Sequence, residues 1–159
     1  MLPNDKPELL TMSIQMNIPY RWKAGRYVSA FLREIRDNAK IWANKCPQCG
    51  RVLLPPRIAC GRCNVRTGDW IEMSDRGTVV SYMVNRQSFL DPTTGHPRPV
   101  PNTVGTIQLD GAPAVILHFL EEKDPQKLHL GMRVQAVFKP REERIGHILD
   151  ILHFKTISD

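Results

Sequence analysis

Four residues in this chain have a spacing that implies chemistry: Cys46, Cys49, Cys60 and Cys63, the only cysteines among 159 residues. They form two C-x-x-C pairs with ten residues between Cys49 and Cys60. Each pair can aim two sulfurs at one point, and a chain reversal brings the second pair face to face with the first. Such a cage suits Zn2+, which prefers four ligands in a tetrahedron. Gly50 follows the first pair and accepts positive φ without a Cβ clash, so backbone N–H groups can turn toward sulfur; Gly61 is expected to give the second pair the same freedom. The competing arrangements are two disulfides, for which C-x-x-C spacing is poorly suited, and iron in a rubredoxin-like site. Four thiolates leave no open position for water or substrate, so the ion is expected to be structural. They also leave no thiol free to act as a nucleophile.

No other constellation of this strength is present. The sequence lacks a G-x-S-x-G elbow, a P-loop, a G-x-G-x-x-G turn and an H-E-x-x-H pair. His96, His118, His129, His147 and His153 show no ligand spacing, and His118, His147 and His153 fall within or at the ends of strand-like runs. Glu121-Glu122 and Glu142-Glu143 sit in turns beside basic residues, as on a solvated face. With no nucleophile, base and oxyanion hole to assemble, the chain is expected to catalyse nothing alone. Arg51, Arg57, Arg62 and Arg66 near the cysteines could receive phosphates, although exposed arginines are common on small modules.

The elements that must position the cysteines are legible on either side of them. Residues 1–25 form an arm with Pro3, Pro7 and Pro19, read as a flexible tail or as a segment that orders against a partner, because Leu9 to Ile18 is more apolar than a solvated tail needs to be. Residues 26–39 read as an amphipathic helix: Val28, Phe31, Leu32, Ile35 and Ala39 step by three and four. Arg33 and Asp37 form an i,i+4 pair on its other face, and Asn38 ends it. Residues 40–69 form the metal ribbon, beginning with a strand at Lys40 to Lys45. Residues 70–159 contain strand-like runs at Trp70 to Met73, Thr78 to Arg86, Thr103 to Leu109, Ala114 to Leu120, Arg133 to Lys139 and His147 to Phe154. Asp110-Gly111 is a type I′ hairpin signal. The predicted fold is mainly β, an N-terminal helix and zinc ribbon followed by a five-stranded OB-like barrel. Ser88 to Asn102 is a fifteen-residue connection with four prolines, long enough to serve recognition.

The formal net charge of +6 is unevenly spread. Residues 1–45 carry an excess of +4, residues 46–70 of +3 and residues 71–159 of −1. A β domain that gripped a phosphate backbone would be expected to hold the surplus itself. No apolar run approaches the ~20 residues needed to span a bilayer, and residues 1–22 lack a basic head and an apolar heart, so a cytoplasmic protein is expected.

From Cys46-Pro-Gln-Cys-Gly through Leu54-Pro55-Pro56-Arg57 to the second pair, the sequence resembles a family of small proteins in bacteria and archaea. These join an N-terminal helix, a rubredoxin-like zinc ribbon and an OB-fold, and accompany thiolases and related ketoacyl-CoA enzymes. Arg76-Gly77-Thr78-Val79-Val80-Ser81-Tyr82 and Leu130-Gly131-Met132-Arg133-Val134 carry the resemblance into the barrel. Leu54 and Gly61 stand where the family often has an aromatic residue and a proline. The resemblance implies a non-catalytic accessory subunit, its four cysteines on structural zinc, bound to a thiolase-like catalytic partner in a hetero-oligomer. Such a subunit would help to shape the partner's acyl-CoA site, and degradation of an aromatic compound is one setting for it. Arg57 and Arg86 are then candidate phosphate ligands, and Phe89 and Arg98 candidate contacts on the Pro-rich loop. Two other classes stand beside this one: a nucleic-acid-binding OB protein, which would need stacking aromatics between basic residues, and a free-standing acyl-CoA-binding protein or hydrolase.

Overall fold

The computed structural model describes residues 23–91 and 95–158; the arm assigned to residues 1–25 therefore lies almost wholly outside the described residues. The architecture is mainly β, with one helix, a zinc-ribbon region and a closed five-stranded barrel.

The helix, α1 (Gly25–Asn38), buries Phe31 and Ile35 and leaves Val28 and Leu32 half-buried, which is the predicted stripe. Ala39 is not part of that stripe. It takes a left-handed conformation (φ 53°) that closes the helix, its N–H donating to the Glu34 carbonyl, while Asn38 donates to the Glu34 carboxylate. The expected Arg33–Asp37 pair does not form either. Asp37 pairs with Arg36 beside it and with Arg141, which reaches the helix from the far end of the chain. The Arg36 guanidinium is the main cause holding the Asp37 carboxyl below its ordinary range.

β1 (Ile41–Lys45) lies between β2 (Val52–Leu53) and β3 (Trp70–Met73) in a three-stranded antiparallel sheet. The run at Trp70 to Met73 thus pairs with β1, from Ile41↔Met73 to Asn44↔Trp70, and not with the barrel strands that follow it.

The barrel comprises β4 (Arg76–Asn85), β5 (Asn102–Leu109), β6 (Val115–Leu120), β7 (Arg133–Phe138) and β8 (Ile151–Thr156), closed in the order β4-β5-β6-β8-β7. β4 meets both β5 and β7, and a bulge between Val79 and Ser81 bends it to do so. Gly77 is required where β4 crosses β5: a Cβ there would lie 2.4 Å from the Gln108 carbonyl oxygen. Inward-facing Val79, Ile107, Leu109, Val134, Ile151 and Phe154 are fully buried. They form one cluster with Phe31, Ile35, Ile41 and Ala43, so helix, ribbon and barrel share a core.

Two connections differ from expectation. β5 and β6 form a hairpin, but residues 110–114 lie between the two strands, and the Leu109 N–H donates to the Ala114 carbonyl. A type I′ turn needs positive φ at both central residues, and of Asp110 and Gly111 only Gly111 (φ 86°) has it. The closing strand begins at Ile151, not at His147. The Asp150 carboxylate accepts from the N–H groups of Ile145, Gly146 and His147 and so ties residues 145–147 to the 3-10 turn Ile148–Asp150 ahead of β8.

Candidate functional site

The two cysteine pairs are built on the same turn. In the first, the Cys46 N–H donates to the Arg51 carbonyl and the Gly50 N–H to the Cys46 carbonyl. In the second, the Cys60 N–H donates to the Val65 carbonyl and the Asn64 N–H to the Cys60 carbonyl. The residue just past each pair turns left-handed, Gly50 at φ 69° and Asn64 at φ 57°. The freedom expected at Gly61 is therefore used at Asn64, one residue beyond the second pair, and Asn is the non-glycine residue that tolerates it best.

Asn44 locks the turns together from the end of β1. It is fully buried; its side-chain NH2 donates to the Arg57 carbonyl at 2.8 Å and the Thr67 hydroxyl at 2.6 Å, and its Oδ1 accepts from the Arg57 N–H at 3.2 Å. The Thr67 hydroxyl donates in turn to the Arg57 carbonyl. Every polar atom of this small core is spent on joining β1, the Pro-Pro-Arg segment and the second knuckle. Neither residue stands out in the sequence, because an isolated Asn or Thr carries no periodic signal.

The four Sγ atoms lie within 4.8 Å of one another. Cys49 and Cys60 are 3.8 Å apart, far beyond the ~2.05 Å of a disulfide. A tetrahedron with metal–sulfur bonds of about 2.3 Å has sulfur–sulfur edges of about 3.8 Å. The cage therefore fits zinc. N–H groups of Cys63 and Arg62 aimed at the Cys60 sulfur bring its thiol down to about 6, and the Arg51 N–H lowers Cys49. Cys63 is pushed up to about 12 by the facing Cys49, by burial and by Cys46. Four sulfurs this close oppose one another's ionisation, and a bound dication removes that repulsion. Zinc here would tie the two knuckles together, with no position left for substrate.

The remaining candidates are dispersed. Arg57 is exposed on the ribbon and lines a hollow of about 230 Å3 with Arg51. Arg86 lines another of about 270 Å3 beside Lys123 and Pro125. Arg98 borders a third of about 340 Å3, with Phe119, Lys123 and His153. The Pro-rich connection folds back on itself, with the Arg98 N–H on the Phe89 carbonyl and the Asp91 N–H on the His96 carbonyl. Arg98 is held there: its guanidinium is ion-paired with Asp91 and lies 4.2 Å from the centre of the Phe119 ring. Phe89 is 45% exposed and Leu90 67%. Lys123, which borders both the Arg86 and Arg98 hollows, was not singled out by sequence reasoning.

Sequence reasoning also missed an apolar groove of about 600 Å3, lined by residues of α1 and of the barrel. Val28 and Leu32 of α1, Val115 and Leu117 of β6, and Leu54 and Ile148 are among the residues that line it. Leu54, which departs from the resemblance, is thus part of a surface.

Two family matches cover most of the described chain: the ChsH2 rubredoxin-like zinc ribbon domain over residues 33–67 and the ChsH2 C-terminal OB-fold domain over residues 70–139. A DUF35 domain-containing scaffold protein of Methanothermobacter thermautotrophicus is 32% identical, over 70% of this chain and 81% of that one. The chain belongs to the DUF35 scaffold-protein family. A DUF35 scaffold protein of Pyrococcus furiosus is 28% identical over 73% of this chain and 81% of that one. Among solved structures, the Ltp2-ChsH2(DUF35) aldolase matches with a TM-score of 0.60 at 20% identity, covering 79% of this chain and 93% of that one. A DUF35-family protein of unknown function from Sulfolobus solfataricus matches at 0.54 and 18% identity, covering 86% and 85%. At such identities the structural likeness establishes the fold, which is the ribbon and barrel described above. No described helix is long and apolar enough to cross a membrane.

Proposed function

We propose that this DUF35 protein is a non-catalytic subunit of a cytoplasmic thiolase-type acyl-CoA acyltransferase complex, holding the catalytic partner and helping to shape its acyl-CoA site. The observation that carries the proposal is the commitment of every cysteine to one closed cage. Thiolytic cleavage of a ketoacyl-CoA needs a cysteine nucleophile and a group that moves protons. This chain has no spare thiol, so the nucleophile belongs to the partner. Two further facts support the reading: curated relatives are named scaffold proteins, and one structural neighbour pairs a DUF35 chain with an aldolase.

The partner-facing surface, on this reading, includes the folded-back loop with Phe89 exposed at its flank. Arg86 and Lys123, beside apolar Val84, Val100 and Pro101, offer positive charge next to a greasy wall, which suits a phosphate joined to a less polar chain. Arg57 with Arg51 offers a second such place on the ribbon. Arg98 contributes by stiffening the loop through Asp91 and Phe119. The complex turns over an acyl-CoA, with an aromatic acyl group as one substrate class.

The nucleic-acid alternative is less well supported. Tyr82, the one aromatic residue of β4, is half-buried and donates its hydroxyl to the Leu128 carbonyl at 3.0 Å. Exposed apolar residues on the barrel strands are Val80, Met83, Val115, Leu117 and Leu152, which cannot stack on bases.

The test is co-expression with a thiolase-like candidate, purification through a tag on this chain, and a thiolysis assay with and without it. Co-elution and activity that needs both chains are expected. Replacing Phe89 with Ala should weaken co-elution, and Arg86→Glu should raise KM for acyl-CoA without dissociating the complex. A partner fully active and separate from this chain would overturn the proposal. Cleavage of an aldol instead would replace the thiolase by an aldolase.

A further inference from the structure

β6 has one edge that the described residues leave open. β5 runs along the other edge from Gln108↔Val115 to Thr103↔Leu120, whereas β8 meets β6 only at Leu120↔Phe154. The Leu109 N–H donates to the Ala114 carbonyl. In an antiparallel ladder alternate residues turn their backbone groups to opposite sides, so Val115 and Leu117 direct N–H and C=O away from β5. Their side chains are 46% and 68% exposed, on the wall of the 600 Å3 apolar groove. A strand edge with its own apolar trough is a template for strand addition.

The chain carries a segment that matches this template. Leu10, Met12, Ile14, Met16 and Ile18 alternate strictly with Thr11, Ser13, Gln15 and Asn17, which is the period of a strand with one apolar face. These residues lie outside the described part of the chain, but that part begins at Lys23, and Ala24 already lines the groove. Residues 19–23 can span about 17 Å when extended, enough to let the segment return along β6. Charge agrees as well. Asp5 and Glu8 precede the segment, and the hollow that adjoins the groove, sharing Leu54 and Val115 with it, is flanked by Arg51 and Arg57.

We propose that Leu10–Ile18 docks in this groove as a strand added to β6 of its own chain, with its apolar side chains inward and Asp5 and Glu8 toward Arg51 and Arg57. The arm then covers the groove in the free protein, and any partner segment using β6 must first displace it. This holds whether or not the partner is a thiolase.

Hydrogen exchange on the full-length, zinc-loaded chain tests it. The Val115 and Leu117 amides should be protected, and the pair of substitutions Met12→Asp and Ile14→Asp should speed their exchange at least tenfold. Leu117→Asp should likewise speed exchange of the amides of residues 10–18, and Ser13→Asp, on the outward face, should change neither. Zinc content and circular dichroism establish that each variant is folded; should Leu117→Asp misfold, the arm variants decide. Identical exchange in the parent and the double variant overturns the proposal. So does protection that rises with concentration alongside a dimer mass, which would mean a second copy, or protection that appears only when a partner is added.

Discussion

The ribbon and the barrel stay folded for different reasons. In the ribbon between Cys46 and Gly68 the buried side chains are largely two cysteines, Thr67 and Pro56, backed by Asn44, and the one short strand, β2, has two residues. Apolar burial of that extent is too small to fix a chain, so order there depends on polar closure around a metal. The barrel instead buries Phe154, Ile107, Leu109, Ile151, Val79 and Val134 completely. The contrast teaches that a few residues at fixed spacing can specify one region, while in the other the information is spread over the inward faces of five strands.

The sharpest way to break this comparison is to take the metal away. Cys60→Ser, or chelation of the wild type, is expected to abolish stoichiometric zinc and to bring the amides of residues 46–68 to exchange rates near those of an unfolded peptide. Barrel amides in β5 and β7 should keep slow exchange. Zinc by elemental analysis and exchange by mass spectrometry would check both halves, and equal loss in the barrel would mean that the two regions are one cooperative unit. Next in size is Phe154→Ala. Truncating a fully buried aromatic side chain costs about 3–5 kcal/mol, to be seen as a lower urea midpoint with zinc still bound. A variant that also lost its zinc would show that the shared core transmits barrel damage to the cage.

Asn44→Ala is expected to be smaller, about 1–3 kcal/mol for leaving the Arg57 backbone and the Thr67 hydroxyl unpartnered in a buried place. Its signature differs from that of Phe154→Ala: zinc affinity should fall, because Asn44 ties β1, which leads into the first knuckle, to Arg57 and Thr67 on either side of the second. A competition titration against a chromogenic chelator would measure this. Unchanged zinc affinity would mean that the knuckles are positioned by their own turns alone.

The cysteine cage was legible because its code is local. Each knuckle is a short turn that carries its own hydrogen bonds, so spacing alone revealed it. The barrel strands were legible from branched and aromatic runs, and most boundaries fell within a residue or two. What the sequence hid was decided by distant partners or by backbone chemistry. Asp37 turned from Arg33 to Arg36 and Arg141, the second across 104 positions of chain. Asp150 gathered three N–H groups ahead of β8, and Asp110 did not take the positive φ that a type I′ turn requires beside Gly111. Trp70 to Met73 has the composition of a barrel strand, and only its register with β1 assigns it to the ribbon sheet. The arginines chosen as contacts were legible as charges but not as positions, for Arg57, Arg86 and Arg98 border three separate hollows.

The smallest expected effect tests the barrel side with a titration. His118 is 4% exposed, with ring centroids 5.8 Å from Phe119 and 5.9 Å from Phe154, and its Nε2 lies 3.3 Å from the Ile148 carbonyl. Its Nδ1 is buried without a hydrogen-bond partner among the described residues. Burial pushes its pKa below the ordinary imidazole value and outweighs the carbonyls of Ile148 and Phe119, while His153 and Arg98 add like charge. The folded state therefore prefers the neutral ring, with Nε2–H donating to Ile148. Below the unfolded value of about 6.5 the unfolded chain binds the extra proton first. The contribution to stability is thus full above that pH and is lost as pH falls toward the lowered folded value. Urea midpoints of wild type and His118→Leu at pH 7.5 and 5.5 would measure it. The leucine variant gives up the hydrogen bond to Ile148, and its midpoint should fall less between the two pH values. Acid loss of zinc acts on both proteins and cancels in the difference. Equal falls would mean that His118 takes up its proton alike in the folded and unfolded chain, and that the acid sensitivity of the molecule arises at other groups.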